Sequence, residues 1–373
     1  MIASGIPSPV ISSSEIFVSA ERYDIVQSVR GYLRYYREDL DGETLSGAEV
    51  VARVAREYSV NPRLLLALLQ HEAGWLTNPD PDSDTRDFPL GNVHPAYKLL
   101  YRQLAWAANK LNFGYYLWKI DAIPTFILAD GTVIRPAQTI NAGTAGVQQL
   151  YSLLYGQAEW EQAVGSEGLF ATYNELFGIP FDYAVEPLIP DGLQQPALRL
   201  PFEDGAVWSF TGGPHGGWGS GSAWAAIDFA PPGEALGCVQ SEAWVTAAAA
   251  GRIVYSQGGA VIQDLDGDGL YQTGWSILYM HIETRDRVEA GTTVQAGDRL
   301  GHPSCEGGVS NGTHVHLARR YNGEWIAADG SLPFDLEGWV SSGDGVEYNG
   351  WLTRGEDVKE AWDGRVDVNQ IGR

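Results

Sequence analysis

Apolar positions recur at helical spacing along the first half of the chain and alternate as in strands along the second. Ile25, Val29, Tyr32, Leu33 and Tyr36 follow a 3.6-residue period. Ser46-Gly-Ala-Glu49 reads as a capping box opening the helix VVARVAREY. Asn61-Pro62 starts the next helix, RLLLALLQHEAGW, with Asn as N-cap and Pro at the first position, ending near Gly74. YKLLYRQLAWAANKLN is a further helix expected to stop at Gly114, and TFILADGTVIRP a hairpin turning at Asp130-Gly131. Helical stretches around VQQLYSLLYG and WEQAVGSEGLFATYNELFG complete a mainly α region over 20–183.

Prolines at 187, 190, 196 and 201 mark residues 184–201 as an extended linker. Beyond it the period changes to that of strands: AWVTAAAA, GRIVYSQ, AVIQDL, WSILYMHI, HVHLARRY and EWIAA, separated by Gly-rich turns. In VEAGTTVQAGDRLG, Gly291, Gly297 and Gly301 lie between apolar residues as tight turns do. The expected organisation is an extended segment over 1–19, a helical domain over 20–183, the linker, and an all-β antiparallel domain over 202–373.

The 373 residues are enough for two domains with sizeable cores. A formal net charge of −23, from 24 basic against 47 acidic residues, argues against a nucleic-acid partner. No apolar run approaches the ~18 residues of a membrane helix. The opening MIASGIPSPVISSS is small and polar, which reads as a chain whose export signal has been removed. Cys238 and Cys305 are either two free thiols or, in an extracellular setting, a disulfide.

Five of the seven histidines follow residue 200: His215, His281, His302, His314 and His316. Asp228 lies within the apolar run AAIDFA, where a carboxylate is costly unless paired or metal-bound. His314-Val315-His316 in a strand directs both imidazoles to one face. A catalytic zinc takes three protein ligands and leaves a fourth position for water. His215, Asp228 and one member of the His-x-His pair supply that set; the other member and His281 remain to handle protons. Asp264, Asp266 and Asp268 form a DxDxDG opening of a calcium loop, although Trp275 stands where its bidentate glutamate belongs. A polar turn between strands is the competing reading.

The order His…Asp, then His in a Tyr-x-His-apolar strand, then Gly-Thr-His-Val-His, resembles the M23 family of zinc peptidases, which includes lysostaphin-type and β-lytic endopeptidases. The resemblance covers about 202–328. It implies an all-β peptidase domain, zinc ligands at His215, Asp228 and His316, catalytic histidines at His281 and His314, and bacterial peptidoglycan as substrate. It also implies a secreted or wall-associated enzyme, in which Cys238 and Cys305 would be bonded and pin the turn before His314. Twelve residues separate His215 from Asp228, longer than in lysostaphin-type members and like the β-lytic branch. Leu-Ala replaces the common Phe-Glu after His316. His302 matches no family role and reads as a loop histidine near the site.

In the helical half, VNPRLLLALLQHEAGW resembles the start of a lysozyme-like lytic transglycosylase domain and places Glu72 on its catalytic glutamate. A carboxyl at the end of an apolar helix can have a raised pKa and protonate a glycosidic oxygen. A solvated carboxylate is the alternative for Glu72, and structural or surface roles are expected for His71 and His94. The leading expectation is a zinc endopeptidase acting on peptidoglycan, with a helical domain that binds or cleaves glycan. The alternatives are a non-catalytic wall-binding or hydrolase-regulating module and a latent precursor.

Overall fold

The computed structural model describes residues 3–4, 30–233 and 235–373. The chain divides into two compact units, Met1–Leu188 with Trp218–Ser222, and Ile189–Gly217 with Ala223–Arg373.

The first unit is helical. Its helices are α1 (Gly47–Tyr58), α2 (Pro62–Ala73), α3 (Ser83–Asp87), α4 (Leu100–Lys119), α5 (Ala142–Ser152), α6 (Gln157–Ala163) and α7 (Leu169–Phe177). The expected start signals operate: Ser46 and Glu49 exchange the two bonds of a capping box, and Asn61 caps α2 with Pro62 inside it. Gly74 closes α2 in the left-handed conformation. Asp130 and Gly131 turn the expected hairpin between Phe126–Ile127 and Val133–Arg135.

Two helix expectations differ from the structure. Of the proposed first helix, Ile25 and Val29 lie outside the described residues. Tyr32–Arg34 is only a single 3-10 turn, followed by the strand Arg37–Leu40. Leu33 and Tyr36 are buried, so their spacing signalled burial on one side without a regular helix. Conversely, α4 runs through Gly114 to Lys119. A Cβ there would stand 2.6 Å from Gln149 and 2.8 Å from the Ala145 carbonyl, so glycine allows α4 to approach α5.

The second unit is built on an antiparallel sheet, nine-stranded among the described residues. Its strands are β1 (Val207–His215), β2 (Ala226–Ala230), β3 (Gly251–Gln257), β4 (Ala260–Asp264), β5 (Trp275–Met280), β6 (Thr293–Val294), β7 (Val315–Tyr321), β8 (Glu324–Trp325) and β9 (Gln370–Gly372). The order across the sheet is β6-β3-β4-β5-β7-β2-β1-β9, with β8 paired to β7. The expected strand AWVTAAAA shortens to Val245–Thr246, and Ala247, Ala248 and Ala249 are buried without continuing it. Leu198 and Leu200, at the end of the Pro-rich stretch, enter the core of this unit.

Alternation along β2 and β7 decides which face carries chemistry. Ile227 and Phe229, like Val315 and Leu317, belong to one hydrophobic core with Trp208, Phe210, Ile277 and Tyr279. Asp228 and His316, each between two of these residues, therefore face the other side. A one-residue slip would drive Asp228 into the core and expel Phe229, at about 1.5–3 kcal/mol for the ring alone.

Candidate metal centre

Asp228 and His316 are directly opposed across the β2–β7 pair, and His215 ends the neighbouring strand β1. The register thus converges the three side chains from adjacent strands. His215 Nε2 lies 3.3 Å from Asp228 Oδ1, His316 Nδ1 also 3.3 Å from that oxygen, and the two nitrogens are 2.9 Å apart. Gly212 opposes Asp228 in the β1–β2 register; a Cβ there would fall 2.6 Å from Asp228 Oδ2, so only glycine leaves room for the carboxylate.

Tautomers follow from the hydrogen bonds. His215 Nδ1–H donates to the Gly213 carbonyl at 2.8 Å, and His316 Nε2–H donates to the Gly217 carbonyl at 3.1 Å. A carbonyl only accepts, so these nitrogens carry the protons of the neutral rings. The opposite nitrogens then direct two lone pairs at each other and at a carboxylate oxygen. Asp228 Oδ1 is buried and receives no well-formed hydrogen bond. With His215 Nε2 deprotonated, the three atoms offer convergent lone pairs to a cation. Contacts of 2.9–3.3 Å suit one face of a tetrahedron of ligands at about 2.0–2.1 Å, the bond length of zinc to nitrogen or carboxylate oxygen. The donor set fits zinc.

Charge follows the same pattern in the metal-free chain. Burial opposes ionisation of Asp228, but His215 and His314 outweigh it and hold the carboxyl well below its usual range. Burial likewise works against a charged His215, and the facing Asp228 reverses the balance and raises its pKa. Burial lowers that of His316.

His281 and His314 complete the cluster. His281 follows β5 with a left-handed φ of 64°, a backbone conformation that costs about 1–3 kcal/mol and is held where surrounding structure over-determines it. Its carbonyl accepts from Ser304 N at 2.6 Å, and its Nδ1–H donates to the Glu306 carbonyl at 3.0 Å. His314 Nδ1–H donates to the Gly312 carbonyl at 2.7 Å, and its Nε2 lies 3.8 Å from Asp228 Oδ2. The two rings are 4.4 Å apart. In both rings Nδ1 is engaged by a main-chain carbonyl and Nε2 is the remaining nitrogen. Burial, then the neighbouring histidines His314 and His316, push His281 down to about 3, so it is neutral near pH 7.

One loop supplies the carbonyls that orient both of these histidines. Cys238 and Cys305 are bonded, and Gly237 and Val239 beside Cys238 clasp Thr313 through its backbone and hydroxyl. The loop 305–313 is thereby fixed at both ends. The Cys238→Ser/Cys305→Ser variant should lose about 2–4 kcal/mol of unfolding stability, since the bridge closes a separation of 67 residues. Urea unfolding under non-reducing conditions measures it, and an unchanged midpoint would remove the bridge from this role.

The remaining sequence candidates fall elsewhere. His302 is buried against Trp244, donates to the Ala243 carbonyl, and takes no part in the cluster. His94 caps a 3-10 turn, and His71 bonds Thr172. Asp264, Asp266 and Asp268 group their oxygens. Both Asp264 oxygens, however, are occupied by the N–H groups of Asp266, Gly267 and Gly269, and Asp268 bonds Leu270 and Thr273. The turn is closed by its own hydrogen bonds, and calcium gains no support. The Glu72 side chain is largely buried; Tyr155 donates its hydroxyl to Oε2, and Oε1 lies 4.0 Å from His71 Nε2. Burial raises its pKa against the opposing bonds from Tyr155 and Tyr151. Sequence reasoning missed Tyr348, whose ring stacks on His215 at 4.3 Å. A tyrosine in a Gly-rich loop carries no signal of that placement.

Residues 227–328 match the Peptidase family M23 model, and residues 12–188 match the model described as LasA, N-terminal domain. The chain is 26% identical over 298 residues to Protease LasA of Pseudomonas aeruginosa, covering 74% of this chain and 66% of that protein. It therefore spans just under two thirds of this relative's length. Among solved structures it is similar to the deep-sea M23 metalloprotease pseudoalterin (23% identity, 48% of this chain and 99% of that one, TM-score 0.38). It is also similar to the catalytic domain of lysostaphin from Staphylococcus simulans (23% identity, 34% and 89%, TM-score 0.23).

Proposed function

We propose that this chain, which carries a peptidase family M23 domain at residues 227–328, is a secreted or wall-associated zinc endopeptidase that hydrolyses peptide bonds in bacterial peptidoglycan. The observation that carries this reading is the convergence of three donor atoms, His215 Nε2, Asp228 Oδ1 and His316 Nδ1, within 2.9–3.3 Å of one another, beside His281 and His314. Zinc bound there would supply Lewis acidity and a water of lowered pKa.

The chain's own residues do the rest. His281 and His314, fixed through Nδ1–H to main-chain carbonyls, would accept a proton at Nε2 and return it to the leaving amine. Their shared anchorage through Ser304, which bonds the His281 carbonyl and bridges His314, keeps the rings in register. Asp228, ionised by its histidine neighbours, contributes negative charge to the metal and holds it in place. The peptidoglycan assignment rests on the family match and on the Protease LasA relative; the disulfide suits an oxidising, extracellular compartment.

A second activity is favoured by Glu72. A largely buried carboxyl with a raised pKa is suited to donate a proton to a glycosidic oxygen, as in a lysozyme-like domain. The helical unit would then bind or cut glycan. Purified peptidoglycan digested with and without a zinc chelator separates the two chemistries. Chelator-sensitive new amines are expected from the M23 domain; their absence would leave the binding-module or latent-precursor readings. New sugar ends that persist in chelator are expected to fall about 10²–10⁴-fold in Glu72→Gln. If no sugar ends form at all, the helical unit does not cleave glycan.

A further inference from the structure

We infer that Tyr348 is a positioning residue of the metal centre: its ring, presented from beyond the M23-matched range, holds the His215 imidazole in its ligating orientation. The inference rests on the zinc reading above. The Nδ1 bond to Gly213 fixes one edge of the His215 ring. Tyr348 fixes its plane, with ring centroids 4.3 Å apart and an interplanar angle of 20°.

The loop that carries Tyr348 is clasped to the same strand end. Gly213 N–H donates to the Tyr348 carbonyl at 2.8 Å, and Tyr348 N–H donates to the Pro214 carbonyl at 3.1 Å. Both bonds are made by the two residues immediately preceding His215, so a shift of the loop moves the ring that covers the ligand. A Cβ on Gly213 would stand 2.5 Å from the Asn349 carbonyl carbon, so the close approach depends on glycine. Tyr348 itself has a φ of 69°, a left-handed conformation rare for an aromatic residue and retained where surrounding contacts enforce it. His215 is 3% exposed and Tyr348 52%, so one face of the tyrosine ring seals the ligand and the other meets solvent. Rotation of the imidazole away from Asp228 would have to displace this ring. Partners that orient a ligating histidine commonly change metal affinity about 10–100-fold.

The test uses the full chain, with zinc affinity from competition with a chromophoric chelator and the visible spectrum of the cobalt-substituted protein. Tyr348→Ala should weaken zinc binding about 10–100-fold and change the cobalt spectrum. Tyr348→Phe keeps the stacked ring and should match wild type in both. Thermal melting of the metal-free proteins identifies loss of fold; should Tyr348→Ala unfold, Tyr348→Leu, which keeps bulk without a flat face, should reproduce the zinc defect. Wild-type affinity and spectrum in a folded Tyr348→Ala would overturn the inference alone. A wild-type chain that binds no zinc would overturn the metal reading and this inference with it.

Discussion

His314→Ala is expected to retain about one zinc per chain while peptide hydrolysis falls about 10²–10⁴-fold, the range for loss of a general acid–base group. The three candidate donors are on His215, Asp228 and His316, and none depends on the His314 ring for its own hydrogen bond. His314 Nε2 lies 3.8 Å from Asp228 Oδ2, beyond hydrogen-bond range. The nearby His281 keeps its bond to Glu306 and does not substitute, because its ring is anchored by a different carbonyl. Zinc content by atomic emission, measured beside release of free amines from peptidoglycan, checks both halves. Zinc lost together with activity would mean that the members of the His-x-His pair have been assigned the wrong way round.

His215→Ala and Asp228→Asn should each abolish zinc retention and, with it, hydrolysis. Zinc binding by a protein site is worth about 10–16 kcal/mol, so one of three ligands accounts for roughly 3–5 kcal/mol, or about 10²–10⁴-fold in affinity. Asp228→Asn is the sharper test. It keeps shape and removes the ionised oxygen that His215 and His316 face. The asparagine amide could then donate to the lone pairs that zinc would occupy. Dialysis against chelator followed by metal analysis reads the loss. Stoichiometric zinc in either variant would remove that residue from the metal centre.

Much of this arrangement was legible in the chain. Asp228 between Ile227 and Phe229, and His316 between Val315 and Leu317, announce by alternation that both face away from the core. The capping box at Ser46 and the Asn61-Pro62 start are local signals, completed by atoms within a few residues. Tyr32, Leu33 and Tyr36 misled, because a 3.6-residue spacing of apolar residues also describes a buried irregular turn. Gly114 misled in the opposite direction: the tertiary demand for close packing of α4 on α5 outweighed its low helix propensity.

By itself, then, the sequence determined which residue types could bind a metal, in what order, and on which face of their strands. Those facts follow from side-chain chemistry and a two-residue period. Tertiary structure alone decided which nitrogen of each histidine is bare. The carbonyls of Gly213, Gly217, Glu306 and Gly312 settle that, and a carbonyl belongs to every residue, so it leaves no mark on sequence. The same holds for Tyr348: its place on His215 depends on a loop returning from far along the chain, held by two backbone hydrogen bonds.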